Sequence, residues 1–189
     1  MIAHAIGRHT ALALIVLASF LAGPAAMDAA FADDPAAGRI EQRLAELGIT
    51  LPPPPPAVAT YVPYRVAGNL VYIAGQGPAD FKGCQGKLGR DLTVAQGYEC
   101  ARRTGLVILA QLKAASGGDL DRVVQAVKIS GFVNATPDFT DHPKVINGAS
   151  DLFRVVFGDA GLAARYAVGA GSLPFNVAVE IAAVFEIRP

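Results

Sequence analysis

The chain has 189 residues, enough for one domain with a real core and too few for two large ones. Hydrophobic residues make up 52% and charged residues only 17%, which excludes a disordered chain, and Lys+Arg and Asp+Glu stand at 16 each, so no excess positive field draws the protein to nucleic acid. Three His and two Cys leave little material for a zinc site, and none is expected; the absence of Trp excludes a Trp-lined stacking groove.

Ala11 to Ala22 form an apolar run broken only by Ser19, with Arg8 before it and Gly23-Pro24 after it. Small residues follow up to Ala30-Phe31-Ala32. This is the order of a secretory signal peptide, and a core of about 12 residues is short of the roughly 20 that span a bilayer. Residues 1–32 are therefore expected to be removed, leaving 157 residues with 15 basic and 15 acidic side chains, periplasmic or secreted and free of the membrane. Outside the reducing cytoplasm, Cys84 and Cys100 are candidates for a disulfide. The other reading is a buried Cys100 facing a sheet and an exposed Cys84.

Residues 33–60 read as a short helix and a linker. Ile40, Leu44 and Leu47 fall on one stripe, Gly48 stops it, and Pro52 to Pro56 form a stiff polyproline II spacer. Residues 61–189 read as the functional domain. Tyr64 to Ala67 and Leu70 to Ala74 flank Gly68-Asn69 as a β-hairpin, and Asp80 to Gly89 is a loop. Thr93 and Gln96 make a capping box that opens a helix through Val94, Tyr98, Ala101, Gly105, Ile108 and Leu112, closed by Gly117-Gly118. Val123 to Val133 is a strand. A second helix starts near Pro143 and runs to Gly158, and Arg165 to Ala170 and Asn176 to Ile187 are two closing strands.

The order ββαβαββ predicts an α+β fold: a mixed or antiparallel sheet with both helices on one face. In the last strand Val177, Val179, Ile181, Ala183, Phe185 and Ile187 point one way, and Ala178, Glu180, Ala182 and Val184 the other. The second face is apolar apart from Glu180, so another subunit is expected to cover it.

No Ser-His-Asp spacing, CxxC, HExxH or phosphate-binding Gly-rich loop is present. Arg165 and Glu180 remain as the main candidates for chemistry. A guanidinium clamps a carboxylate with its planar fork, and a carboxylate in a semi-apolar site can hold and deprotonate a water. The plain alternative is a structural Arg165–Glu180 ion pair or two solvated charges.

Four stretches resemble the Rid (YjgF-type, reactive intermediate deaminase) family. Asn69 to Pro78 resembles its "GNxxxxSGQxP", Gly118 to Val124 its "GdLxxVvk", and Phe132-Val133 followed by Asp138-Phe139 its "vFvxdxxdF". Ala164-Arg165, Leu173-Pro174 and Val179-Glu180-Ile181 resemble its C-terminal "ARxxVxVxxLPxxxxVEIe". The resemblance spans about residues 63–187. It implies a chorismate-mutase-like fold, a homotrimer with three clefts between subunits, and hydrolysis of 2-imino or enamine acids such as 2-aminoacrylate to a 2-keto acid and ammonia, with no cofactor. By the same resemblance Arg165 binds the substrate carboxylate and Glu180 orients the attacking water. Gly75 and the backbone at Ala167 line the cleft, and Tyr64 matches the family's cleft tyrosine. Asn147 lies where many members carry Asn, with a helix-surface amide as its other reading. Ala74 departs from the usual Ser. A non-catalytic, small-carboxylate-binding or chaperone-like trimer is the alternative, and a ribonuclease is disfavoured by the zero net charge. The protein recovered from its host is expected to begin near Asp33. Intact-mass measurement checks this, and a full-length chain extracted from membrane would contradict it.

Overall fold

A computed structural model describes residues 38–189, so the expected signal peptide and its cleavage site lie outside the described residues. Among them no helix is long and apolar enough to cross a membrane. The elements are α1 (Arg39–Glu46), β1 (Tyr64–Ala67), β2 (Leu70–Gln76), α2 (Val94–Ala115), β3 (Val123–Asn134), α3 (His142–Phe157), β4 (Ala164–Ala170) and β5 (Val179–Ile187). The five strands lie in the order β1-β2-β5-β3-β4. Every pairing is antiparallel except β3 with β4, which the α3 crossover makes parallel. This is the expected mixed sheet of a chorismate-mutase-like α+β fold.

Local sequence explains most element ends. Thr93 accepts the Gln96 backbone N–H while the Gln96 side chain accepts from the Thr93 N–H, so the capping box opens α2. Pro143 occupies the first turn of α3, and Gly158 closes that helix with a φ of 65°. The two helices approach closely because Gly148 lacks a side chain. A Cβ there would lie 2.0 Å from the Tyr98 carbonyl oxygen of α2.

β5 sits at the centre of the sheet, and Val179, Ile181, Ala183, Phe185 and Ile187 are all buried under the helices. Phe153 of α3 meets Phe185 edge to face at 5.4 Å between ring centroids. The opposite face stays open. Tyr72, Tyr166 and Val168 are exposed there, and Phe132 packs edge-on to Tyr166 at 5.7 Å.

Three expectations need correction. The last strand starts at Val179 rather than Asn176, because Phe175 and Asn176 adopt left-handed φ values of 55° and 58° that end any extended run. Ala178 is therefore fully buried ahead of the strand instead of lying on the open face, and its N–H donates to the Cys84 carbonyl at 2.7 Å. β2 runs on to Gln76, with a bulge where Ile73 pairs with Ala183 but Gln76 pairs with Ile181. Finally, the segment from α1 to Pro55 is packed on the domain rather than set apart from it. Ile40 and Leu44 join the hydrophobic core, and the Pro55 carbonyl accepts a 2.7 Å hydrogen bond from the buried Gln111 of α2. This bond ties the proline run to α2.

Cys84 and Cys100 are joined by a disulfide with a Cα–Cα separation of 5.6 Å, and both are buried, so the free-thiol alternative does not hold. The bridge ties the loop after β2 to the second turn of α2. Its sequence separation is 16, a loop for which the chain-entropy model gives about 3 kcal/mol of stabilisation. Reduction, or Cys84→Ser with Cys100→Ser, is expected to lower Tm by roughly 6–12 °C for a chain of this size. Calorimetry with and without reductant checks this.

Candidate active site

Glu180 occupies the middle of β5 and pairs with Phe132 of β3. Its neighbours at 179 and 181 face the core, so its own side chain emerges on the open face. Ala182, the next residue on that face, adds no bulk beside it. The bulged turn of β2 lies against it: a Cβ on Gly75 would stand 2.2 Å from Glu180 Oε1. A side chain at Gly75 would therefore displace the carboxylate from its place. Among the described residues no hydrogen bond or ion pair reaches the Glu180 carboxylate, and its partial burial pushes its pKa above the usual carboxylate value. An unpaired, half-buried carboxylate of this kind is a competent proton acceptor for a water molecule.

Arg165 lies on the edge strand β4 and pairs with Ile129 of β3. Ile129 is buried under the helices, whereas Phe132, three residues along the same regular stretch of β3, pairs with Glu180 on the open face. An odd separation along a strand means opposite faces. Arg165 therefore projects to the helix side of the sheet edge and Glu180 to the open side, and one chain does not bring them together. The expected alternative of an intrachain Arg165–Glu180 ion pair is thereby removed. The Arg165 guanidinium instead donates from Nη1 to Ser150 Oγ at 2.8 Å and from Nη2 to the Pro143 carbonyl at 3.3 Å. Both partners belong to α3. Asn147 falls on the same stripe of that helix, at i+4 from Pro143 and i−3 from Ser150, so it shares a wall with Arg165. Ala167 follows Arg165 on the same face of β4, opposite Gly131.

Tyr64 is placed differently. It pairs with Ile73, a core residue, and packs against the hydrophobic core on the helix side, away from Glu180. Ala74 sits in the β2 bulge next to Gly75, and its N–H donates to the Pro63 carbonyl at 3.0 Å. Sequence reasoning missed Ser150 and His142. Ser150 could have been found from the i, i+7 spacing with Pro143, but nothing in the sequence ties that stripe to Arg165. The His142 imidazole lies against Gly169 of β4, with Nε2 2.7 Å from where a Gly169 Cβ would be. It extends the Arg165 wall toward the start of α3.

The described sheet is covered by helices on one face and apolar on the other, with a guanidinium at its edge and a lone carboxylate at its centre. The family model described as "YjgF/chorismate_mutase-like, putative endoribonuclease" matches residues 41–186, and the chain belongs to this YjgF (Rid) family. It is 45% identical over 156 residues to Protein TCP17 of Trypanosoma cruzi, covering 81% of this chain and 97% of that one. Among solved structures it is similar to Atu1372 from Agrobacterium tumefaciens, whose function is unknown, at 46% identity and a TM-score of 0.73, over 79% of this chain and 94% of that one. It is also similar to a protein from Shewanella oneidensis called an endoribonuclease, at 35% identity and a TM-score of 0.74, over 78% and 99% of the two chains.

The raised pKa of Glu180 has a stability consequence. A carboxyl whose folded pKa is raised favours the fold while protonated, and that contribution is lost as pH rises through the folded pKa. Glu180→Gln, which is neutral at every pH, is therefore expected to raise Tm at pH 8, with the gain shrinking as the pH falls toward 4. A Tm–pH series on both proteins checks the sign.

Proposed function

We propose that the protein hydrolyses 2-imino and enamine acids to 2-keto acids and ammonia, in clefts formed between the subunits of a homotrimer. The observation that carries this reading is the opposite facing of Arg165 and Glu180 in one chain. An edge strand carrying the guanidinium and an uncovered face carrying the carboxylate are complementary halves, and a neighbouring copy supplies the missing half of each. The exposed Tyr72, Tyr166 and Val168 are the apolar surface that such a neighbour covers.

In this site the Arg165 fork holds the substrate carboxylate, with Ser150 and the Pro143 carbonyl fixing the guanidinium plane. The imine carbon then lies near the neighbour's Glu180. Free imines already hydrolyse in water, so positioning supplies much of the acceleration. Glu180 accepts a proton from water as its oxygen bonds to the iminium carbon, and passes it to the nitrogen of the carbinolamine; it then takes the hydroxyl proton as the carbonyl forms, the C–N bond breaks and ammonia leaves. The base must be ionised, so the rate is expected to fall as pH drops through the raised pKa of Glu180. We read the protein as exported, a reading that the Cys84–Cys100 bridge supports because disulfides persist in oxidising compartments. The ribonuclease reading, the name given to the Shewanella oneidensis relative, has less support. Acidic and basic residues balance at 16 each, and phosphate contacts supply most nucleic-acid affinity.

Arg165→Lys keeps the charge and loses the fork, so it is expected to lose most imine hydrolysis; Arg165→Ala should lose roughly 30- to several-thousand-fold. The decisive experiment mixes two inactive chains. Arg165→Ala and Glu180→Gln subunits, co-expressed with different tags and purified on both tags, are expected to recover about a third of wild-type activity, because about one of the three clefts in each mixed trimer then combines an intact Arg165 with an intact Glu180. A mixture as inactive as its parents would refute the shared site. Either single variant retaining full activity would refute the chemistry.

A further inference from the structure

Away from the sheet, three carboxylates converge where α1 meets the 3-10 turn Leu120–Arg122 that leads into β3. Glu41 comes from α1, and Asp119 and Asp121 come from the turn, and one oxygen of each lies within 4.8 Å of the others. Acidic groups often cluster on surfaces without consequence. Here, however, the Asp121 side chain is only 2% exposed. Its Oδ1 accepts the Ile40 N–H at 3.1 Å and faces Arg39 Nε at 3.6 Å. Its Oδ2 is buried and meets no donor among the described residues, and both oxygens of Glu41 are likewise buried without a hydrogen bond. Lys113 Nζ stands 3.4 Å from Glu41 Oε1, an ion-pair contact without hydrogen-bond geometry.

Asp121 Oδ2 and Glu41 Oε2 meet no partner among the described residues, and Glu41 Oε1 meets only Lys113 without a hydrogen bond, a costly arrangement since a buried charge must be paired or bound to a metal. Arg39 and Lys113 reach the cluster from its rim, with side chains 67% and 40% exposed, so they screen it only partly and are free to turn outward. Atoms no more than 4.8 Å apart all fall within about 2.8 Å of a common centre, close to the 2.3–2.6 Å at which oxygen binds Ca2+. The donor set is all oxygen, which suits hard cations and not zinc or copper. Three carboxylates in a flexible arrangement favour Ca2+ over Mg2+, which gives up its water shell reluctantly and is usually held by one or two carboxylates.

We infer that Glu41, Asp119 and Asp121 bind one Ca2+ ion, which clamps α1 onto the turn that launches β3. The site is independent of Arg165 and Glu180 and takes no part in the proposed hydrolysis. It makes the N-terminal helix, and the polyproline strap that follows it, a cation-dependent part of the fold.

The test uses the full protein, stripped with EDTA and dialysed. Calorimetric titration with CaCl2 is expected to show one Ca2+ per chain with a Kd at or below roughly millimolar, and MgCl2 is expected to bind more weakly. Tm should rise by a few degrees once Ca2+ stands about a hundredfold above Kd. Glu41→Gln and, separately, Asp119→Asn should abolish the saturable heat and the Ca2+-dependent rise. In EDTA their Tm should equal or exceed that of the parent, because a like-charge contact has been removed. The inference is overturned by any of three results: no saturable heat at roughly ten times the millimolar range, Mg2+ binding more tightly than Ca2+, or a Ca2+ response that survives in both variants.

Discussion

The two-residue period of β5 governs both the stability of this protein and the position of its candidate base. Five of its side chains, from Val179 to Ile187, go under the helices, and full burial of each large one contributes about 1.5–3 kcal/mol. The alternate set, led by Glu180, must then emerge on the open face. A slip of one residue would turn the five apolar groups to solvent and drive Glu180 into the core, a double penalty. Packing at Phe185 and Phe153 thus holds a carboxylate, five residues away, in a fixed place beside Gly75.

The same sheet geometry separates the functional groups. β4 is an edge strand, and its Arg165 turns toward α3, where Ser150 and the Pro143 carbonyl orient it. Glu180 looks out of the other side. In the proposed assembly this separation is what makes oligomerisation and chemistry a single property: the bare apolar face drives association, and association completes the cleft. An enzyme built this way needs little machinery in each chain. A fork, a desolvated carboxylate and small neighbours that leave room for a substrate are enough, since positioning does most of the work.

Around this centre the chain has added restraints on the helix side. The Cys84–Cys100 bridge pins the loop after β2 to α2, and the Cys84 carbonyl receives the Ala178 N–H two residues before Glu180. Restraint of the loop is therefore passed to the start of β5. At the other end, Ile40 and Leu44 of α1 enter the core, and Gln111 anchors the proline run. The carboxylate knot of Glu41, Asp119 and Asp121 sits at that junction.

The sequence by itself determined the elements whose signals are local. The Thr93–Gln96 capping box, Pro143 in a first turn, Gly158 as a stop and the alternation along β5 each act within a few residues, and so were legible without a fold. Motif resemblance singled out Arg165, Glu180 and Gly75 for the same reason. Relations that depend on strand order and register were decided only by the tertiary structure. Arg165 and Glu180 look like partners along the chain, yet their pairing through Ile129 and Phe132 puts them on opposite faces. Tyr64 is put on the helix side of the sheet by its register with Ile73, a placement its sequence neighbours do not reveal. Ser150 and His142 gave no sign of joining the Arg165 wall, because that contact exists only where the α3 crossover lies along β4. The cysteine pairing stayed open until folding brought two Cα atoms to 5.6 Å. Periodicity tells which residues share a face within one element, whereas which faces meet is set by packing between elements distant in sequence.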